Sequence, residues 1–138
     1  MRTVIEEVLD SSHKMQKVIG QSAVRAFLET VKLDHAVWKN NVYTRIANNE
    51  IGTLNTHKEC RLGQWYFEGE GNESYRHFPA FVKMDEPHRL VHEMGQMALN
   101  AKKQGDSHAL LAATEAMEKA SSEVVALIDE LIVQASQH

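Results

Sequence analysis

One cysteine and three histidines are the residues of this chain whose types suit a common chemistry. Cys60 opens the stretch Cys60-Arg-Leu-Gly-Gln-Trp65, His35 lies in LDHAVWK, and His88 and His92 lie in EPHRLVHEM. One thiolate and three imidazoles form a four-ligand set that suits tetrahedral zinc. Thiolate with imidazole favours zinc, whereas carboxylate-rich sets favour magnesium, calcium or manganese. His88 and His92 are four residues apart, so on a helix they stand one above the other and make a bidentate clip. Each piece has a plainer reading on its own. A lone cysteine is usually a small buried hydrophobe, a histidine in an apolar stripe is usually a hydrogen-bonded core residue, and two histidines at this spacing are often surface residues. Their combination carries the metal reading. The other histidines, His13, His57, His77, His108 and His138, lie in polar or terminal contexts and read as solvated.

The same residues argue against catalysis. A zinc ion saturated by four protein ligands has no open position for water or substrate. In His88-Arg-Leu-Val-His92, Arg89 stands where a helical zinc protease places its glutamate base. The repeated inward glutamates of a di-iron bundle are missing, as are a phosphate-cradling glycine loop and a nucleophile elbow. A structural zinc can still be a switch. Its sulfur is the oxidisable ligand, and losing it would open a coordination position and loosen the helix that carries it. Protonation of the histidines or loss of the ion would act on the same joint. The place of Cys60 at the start of a short helix predicts a thiol pKa lowered by the positive end of the helix dipole.

Those four residues need elements to converge them. The chain has 138 residues, which is enough for one domain with a core and too few for two. Seven glycines, two prolines and few alternating β-branched runs predict helices joined by loops. Residues 1 to about 20 read as a helical extension with a weak a/d seam of Ile5, Val8, Ser12, Met15, Ile19, Ser22 and Ala26. From Ser22 to about Asn48, Val24, Phe27, Val31, His35, Trp38, Val42 and Ile46 recur at helical spacing, and only Gly20 marks the junction, so one helix could span both segments. A loop follows to about Glu59, then a short aromatic helix that Glu68-Gly69-Glu70-Gly71 should stop. Ser74 to Lys83 reads as a short helix or turn around Pro79, and Asp85-Glu86-Pro87 as a helix start. That helix runs to Gln104, with Gly95 on the histidine face where a neighbour can come close. The last helix, after Gly105-Asp106-Ser107, carries Leu110, Thr114, Met117, Ser121, Val124, Ile128 and Leu131, with Leu111, Val125 and Ile132 widening the stripe.

A net charge of -4 with scattered lysines and arginines gives no footprint for nucleic acid. No segment is apolar for long enough to span a bilayer, the first residues do not read as a signal peptide, and a single cysteine forms no internal disulfide. A cytoplasmic location is the expectation.

Taken together, LDHAVWK, CRLGQWYFEGEG and EPHRLVH resemble the chemoreceptor zinc-binding (CZB) domain family, over roughly residues 20 to 135 and in the family's order of one histidine, the cysteine, then two histidines. The resemblance implies a four-helix bundle, often homodimeric, that binds zinc tightly through His35, Cys60, His88 and His92. It also implies regulation by zinc occupancy or by oxidation of the cysteine, for example by hypochlorous acid. Members are cytoplasmic regulatory domains on bacterial chemoreceptors, on diguanylate cyclases, or alone. The expected architecture is therefore all-α: a four-helix bundle at residues 21–138, a short extra helix carrying the cysteine, and an extension at 1–20. The expected partners are a second copy and a chemoreceptor or other signalling output protein. The competing expectation is a helical dimerisation domain whose zinc is purely structural.

Overall fold

The computed structural model describes residues 1–137, whose regular structure is all helical, with no strand among the described residues. Thr3 starts the first helix, α1 (Val4–Asn48), through a capping box in which its hydroxyl accepts from the Glu6 amide while the Glu6 carboxylate accepts from the Thr3 amide. Nothing breaks the helix for 45 residues, so the extension and the histidine-bearing segment are a single rod. Gly20 lies inside it at a modest cost in helix propensity. Asn49 ends the rod in the left-handed conformation, at φ 57°.

Two short helices follow the loop: α2 (Arg61–Phe67) and α3 (Glu70–Ser74). The Gly69 region interrupts the chain as expected, but the glycine-rich stretch then forms a further helical turn rather than a loop. The long helix α4 (Pro79–Gln104) is capped at Phe78 and runs through Pro87, so it starts a full two turns of helix before the predicted cap at Asp85. Burial decides this. Ala80, Phe81 and Met84 are enclosed in the core, and that packing outweighs the hydrogen bond lost at Pro87. A tight turn at Gly105-Asp106 leads into α5 (Ser107–Ser136), so α4 and α5 form an antiparallel hairpin. The all-α expectation holds: α1, α4 and α5 are the long helices, and the short helix that follows the cysteine, α2, is joined by a second short one, α3.

α1 lies against this hairpin, antiparallel to α5. Lys32 pairs with Asp129, while Lys39 and Tyr43 both reach Glu118. The core stripe on α1 is the predicted one, strengthened by the fully buried Leu28. On α5, Met117, Val124, Ile128 and Leu131 are buried as predicted, but Leu111 is 58% exposed on the outer side. Near the tip of the bundle, the Gln21 side chain donates to the Ser136 carbonyl at 2.9 Å. Before that point α1 projects past the end of α5, and residues 1–20 are exposed at every position except Asp10, which is half-buried.

Candidate metal centre

Three elements bring the four residues together. His35 comes from the core face of α1, His88 and His92 from α4, and Cys60 from the residue that caps α2. α1 and α4 approach closely because residue 95 is glycine. A Cβ there would sit 2.5 Å from the Trp38 ring. Trp38 in turn lies on the His92 ring, with centroids 4.4 Å apart. The loop before Cys60 is tied down by side chains of the same two helices. Gln96 accepts from the Leu54 amide at 2.7 Å and donates to the Gly52 carbonyl at 3.0 Å. Trp38 Nε1 donates to Asn55 Oδ1 at 2.6 Å. The chain then turns at residues 57–60 and folds back on α2, and this is where Gly63 is required: a Cβ on it would lie 1.9 Å from the His57 carbonyl oxygen.

His35, Cys60, His88 and His92 each present one donor atom, and the four atoms all lie within 4.8 Å of one another. Cys60 Sγ and His88 Nε2 are 3.3 Å apart. A tetrahedral zinc with ordinary bond lengths has ligand–ligand edges of roughly 3.3–3.6 Å, so a small contraction completes the cage. The orientation of the rings fits an ion as well. His35 Nδ1 is 3.0 Å from the Val31 carbonyl, and His92 Nδ1 is 3.0 Å from the Asn55 carbonyl. A carbonyl only accepts, so both rings carry their proton on Nδ1 and turn a bare Nε2 lone pair inward. Both Nε2 atoms are buried without a hydrogen-bond partner. Buried acceptors left unmatched are costly, and a cation at the centre of the cluster would satisfy them.

The electrostatics agree. Burial lowers the pKa of His35; burial first, then the neighbouring imidazoles, pushes His88 down to about 2 and His92 to about 4. The rings are therefore neutral and ready to ligate. The Cys60 thiol departs from expectation. Burial pushes its pKa up, and the hydrogen bonds from the α2 backbone only partly offset this. Gly63 N–H donates to Sγ at 3.4 Å, so the helix start does act on the sulfur, but desolvation is the larger effect. Without a metal the sulfur rests as a thiol that donates to the His57 carbonyl.

These shifts set the pH response of the metal-free chain. His88 and His92 bind protons less readily folded than unfolded, so the unfolded state takes up more protons as pH falls below 6.5. Chelated protein is expected to lose stability on acidification from there, by up to about 1.4 kcal/mol per pH unit for each ring. The contribution of His92 levels off near pH 4, and that of His88 near pH 2. Urea melts from pH 7 to pH 5 would measure it; a flat profile would contradict the buried, neutral rings.

Arg89 bridges Glu86 and Glu93 along the outside of α4, so no glutamate base stands between the two histidines. A cavity of about 320 Å³ opens beside the cluster, lined in part by Asp34, Asn55, Glu59 and Arg61. Of the histidines read as solvated, His13, His77 and His108 are exposed, and His138 lies outside the described residues. His57 is different. Its side chain is only 12% exposed, with Nε2 3.4 Å from Asp85 Oδ1 and its ring edge-on to His88 at 5.5 Å. The spacing His57-Lys-Glu-Cys60 was the available signal, since a turn brings two such side chains together.

Three buried imidazoles and one half-buried sulfur that converge in a helical domain present the donor set of a zinc-binding domain. Residues 35–99, a stretch that holds all four of these side chains, match the family model of the chemoreceptor zinc-binding domain, CZB. No curated protein and no solved structure matches the chain.

Proposed function

We propose that the chain is a cytoplasmic sensory or regulatory module without catalytic activity. In this reading one zinc ion is held by His35, Cys60, His88 and His92. The observation that carries it is the pair of inward, unpartnered Nε2 atoms of His35 and His92, placed within reach of the Cys60 sulfur. Bound zinc would supply a Lewis acid that keeps the sulfur as thiolate. The protein's residues do the rest: Val31 and Asn55 orient two rings through their carbonyls, and the α2 backbone steadies the sulfur.

The signal is the occupancy of this site or the oxidation of Cys60. Hypochlorous acid would convert the thiolate to sulfenic acid and release chloride. The consequence passes through α2, because Cys60 is its cap. α2 seats Trp65 against Phe27 of α1, at 5.2 Å between centroids, and Tyr66 in a stack on Phe81 of α4, at 3.9 Å. Displacing the cap would therefore loosen contacts with both long helices. The output is bacterial chemotaxis or cyclic-di-GMP control, exerted through a chemoreceptor or another signalling partner.

The same reading makes residues 21–138 the zinc-binding domain and residues 1–20 a connecting rod that pairs with a second copy. Ile5, Val8, Met15 and Ile19 on the seam are 60–72% exposed, and Leu33 and Val37 continue the outward face of α1 at 68% and 69%. From Ile5 to Ala26 the seam carries no charged side chain, and Glu29 is the acidic residue at its next step. Its a/d spacing makes the stripe a surface for another helix, and no helix among the described residues is long and apolar enough to cross a membrane.

Cobalt substitution tests the site and the switch together. The loaded protein should show tetrahedral d–d bands and a thiolate charge-transfer band. One equivalent of hypochlorous acid should remove the charge-transfer band and raise hydrogen exchange across residues 60–67. Bands and exchange that survive the oxidant would favour the second reading, an inert zinc staple in a dimerisation domain.

A further inference from the structure

We propose that His57 is a reserve metal ligand, which completes a four-histidine site with His35, His88 and His92 when the Cys60 sulfur is not available. The inference rests on the zinc reading above and adds a second coordination state to it. His57 lies three residues before Cys60 in the turn that closes the site, a spacing at which two side chains of one turn reach a single ion. Its backbone is already at the sulfur, since the His57 carbonyl is 3.5 Å from Cys60 Sγ. Its ring stands edge-on to the His88 ring at 5.5 Å, comparable to the 5.0 and 5.8 Å that separate His35 from His88 and His92. The four imidazoles therefore form one continuous cluster.

What keeps His57 off the cluster is Asp85. Its Oδ1 atom is buried without a hydrogen bond of good geometry, and His57 Nε2 faces it at 3.4 Å. A carboxylate beside an imidazole is the partner that orients metal-binding histidines. It holds the ring close while Cys60 occupies the fourth position. His57 sits in non-helical chain between α1 and α2, so a shift of the ring breaks no helix. Losing the sulfur then exchanges a ligand instead of emptying the site. The ion stays and the turn at residues 57–60 moves.

Cobalt and zinc binding to three full-length variants tests this: Cys60→Ala, Cys60→Ala/His57→Ala, and Cys60→Ala/His13→Ala, the last removing an exposed histidine. Cys60→Ala should keep tetrahedral d–d bands without the thiolate charge-transfer band. Removing His57 as well should weaken binding by a further ~10–100-fold or more and shift the cobalt spectrum toward weakly absorbing, water-rich coordination, while removing His13 should change nothing. Equal affinities and spectra for Cys60→Ala with and without His57 would overturn the proposal. Circular dichroism of the chelated variants, with His57→Gln as a gentler second replacement, separates ligand loss from misfolding. Failure of the wild-type chain to bind either metal would instead sink the zinc reading itself.

Discussion

His88→Ala is expected to cost more zinc affinity than replacing any residue outside the cluster. His88 is 2% exposed and stands at the centre of the group, 3.3 Å from the sulfur, with its ring 5.0 Å from both His35 and His92. Residues that merely orient ligands are worth ~10–100-fold in affinity, so removing a ligand should exceed that range. Competition against a chromophoric chelator measures the loss. The thermal midpoint should follow. A ligand present at a thousand times its dissociation constant stabilises the folded state by about 4 kcal/mol, and the variant forfeits most of that at the same zinc concentration. Affinity unchanged by His88→Ala would mean that any bound metal sits elsewhere.

Gly63→Ala has the second largest expected effect, and it strikes fold and site at once. The added methyl would meet the His57 carbonyl oxygen at 1.9 Å and the Lys58 Cα at 2.7 Å. Both are backbone atoms, so no side-chain rotation relieves the clash. Either the turn at residues 57–60 or the first turn of α2 must shift, and each carries the Cys60 sulfur with it. Overpacking of this kind costs about 1–3 kcal/mol. Urea melts of the chelated variant should show that loss, and the loaded variant should lose more, because the misplaced sulfur weakens the metal contribution too. A variant as stable and as tightly loaded as the wild type would show that α2 does not govern the cysteine.

How far the sequence foretold this arrangement depends on the range of the forces involved. The core face of α1 and the histidine pair of α4 were legible because helical periodicity is local. So was the close approach at Gly95, a glycine on the histidine face that proves to receive Trp38. The start of α4 was not. Asp85, Glu86 and Pro87 look like a helix beginning, and only the burial of Phe81 and Met84 against distant residues explains why the helix starts at Pro79. The thiol was misjudged for a related reason. The helix start acts on Cys60 as expected, but the depth of the sulfur depends on how the turn folds over α2, which no local pattern encodes. His57 was missed because a histidine among polar neighbours reads as solvated, and its burial comes from Asp85, Phe67 and His88, all contributed by other elements.

The central claim is that three imidazoles and one sulfur surround a single ion. X-ray absorption at the zinc edge of the purified, untagged protein tests it most directly. The expected spectrum has three nitrogen scatterers at ~2.0–2.1 Å and one sulfur at ~2.3 Å. A shell of light atoms alone, or protein that carries no zinc after exposure to it, would contradict the account.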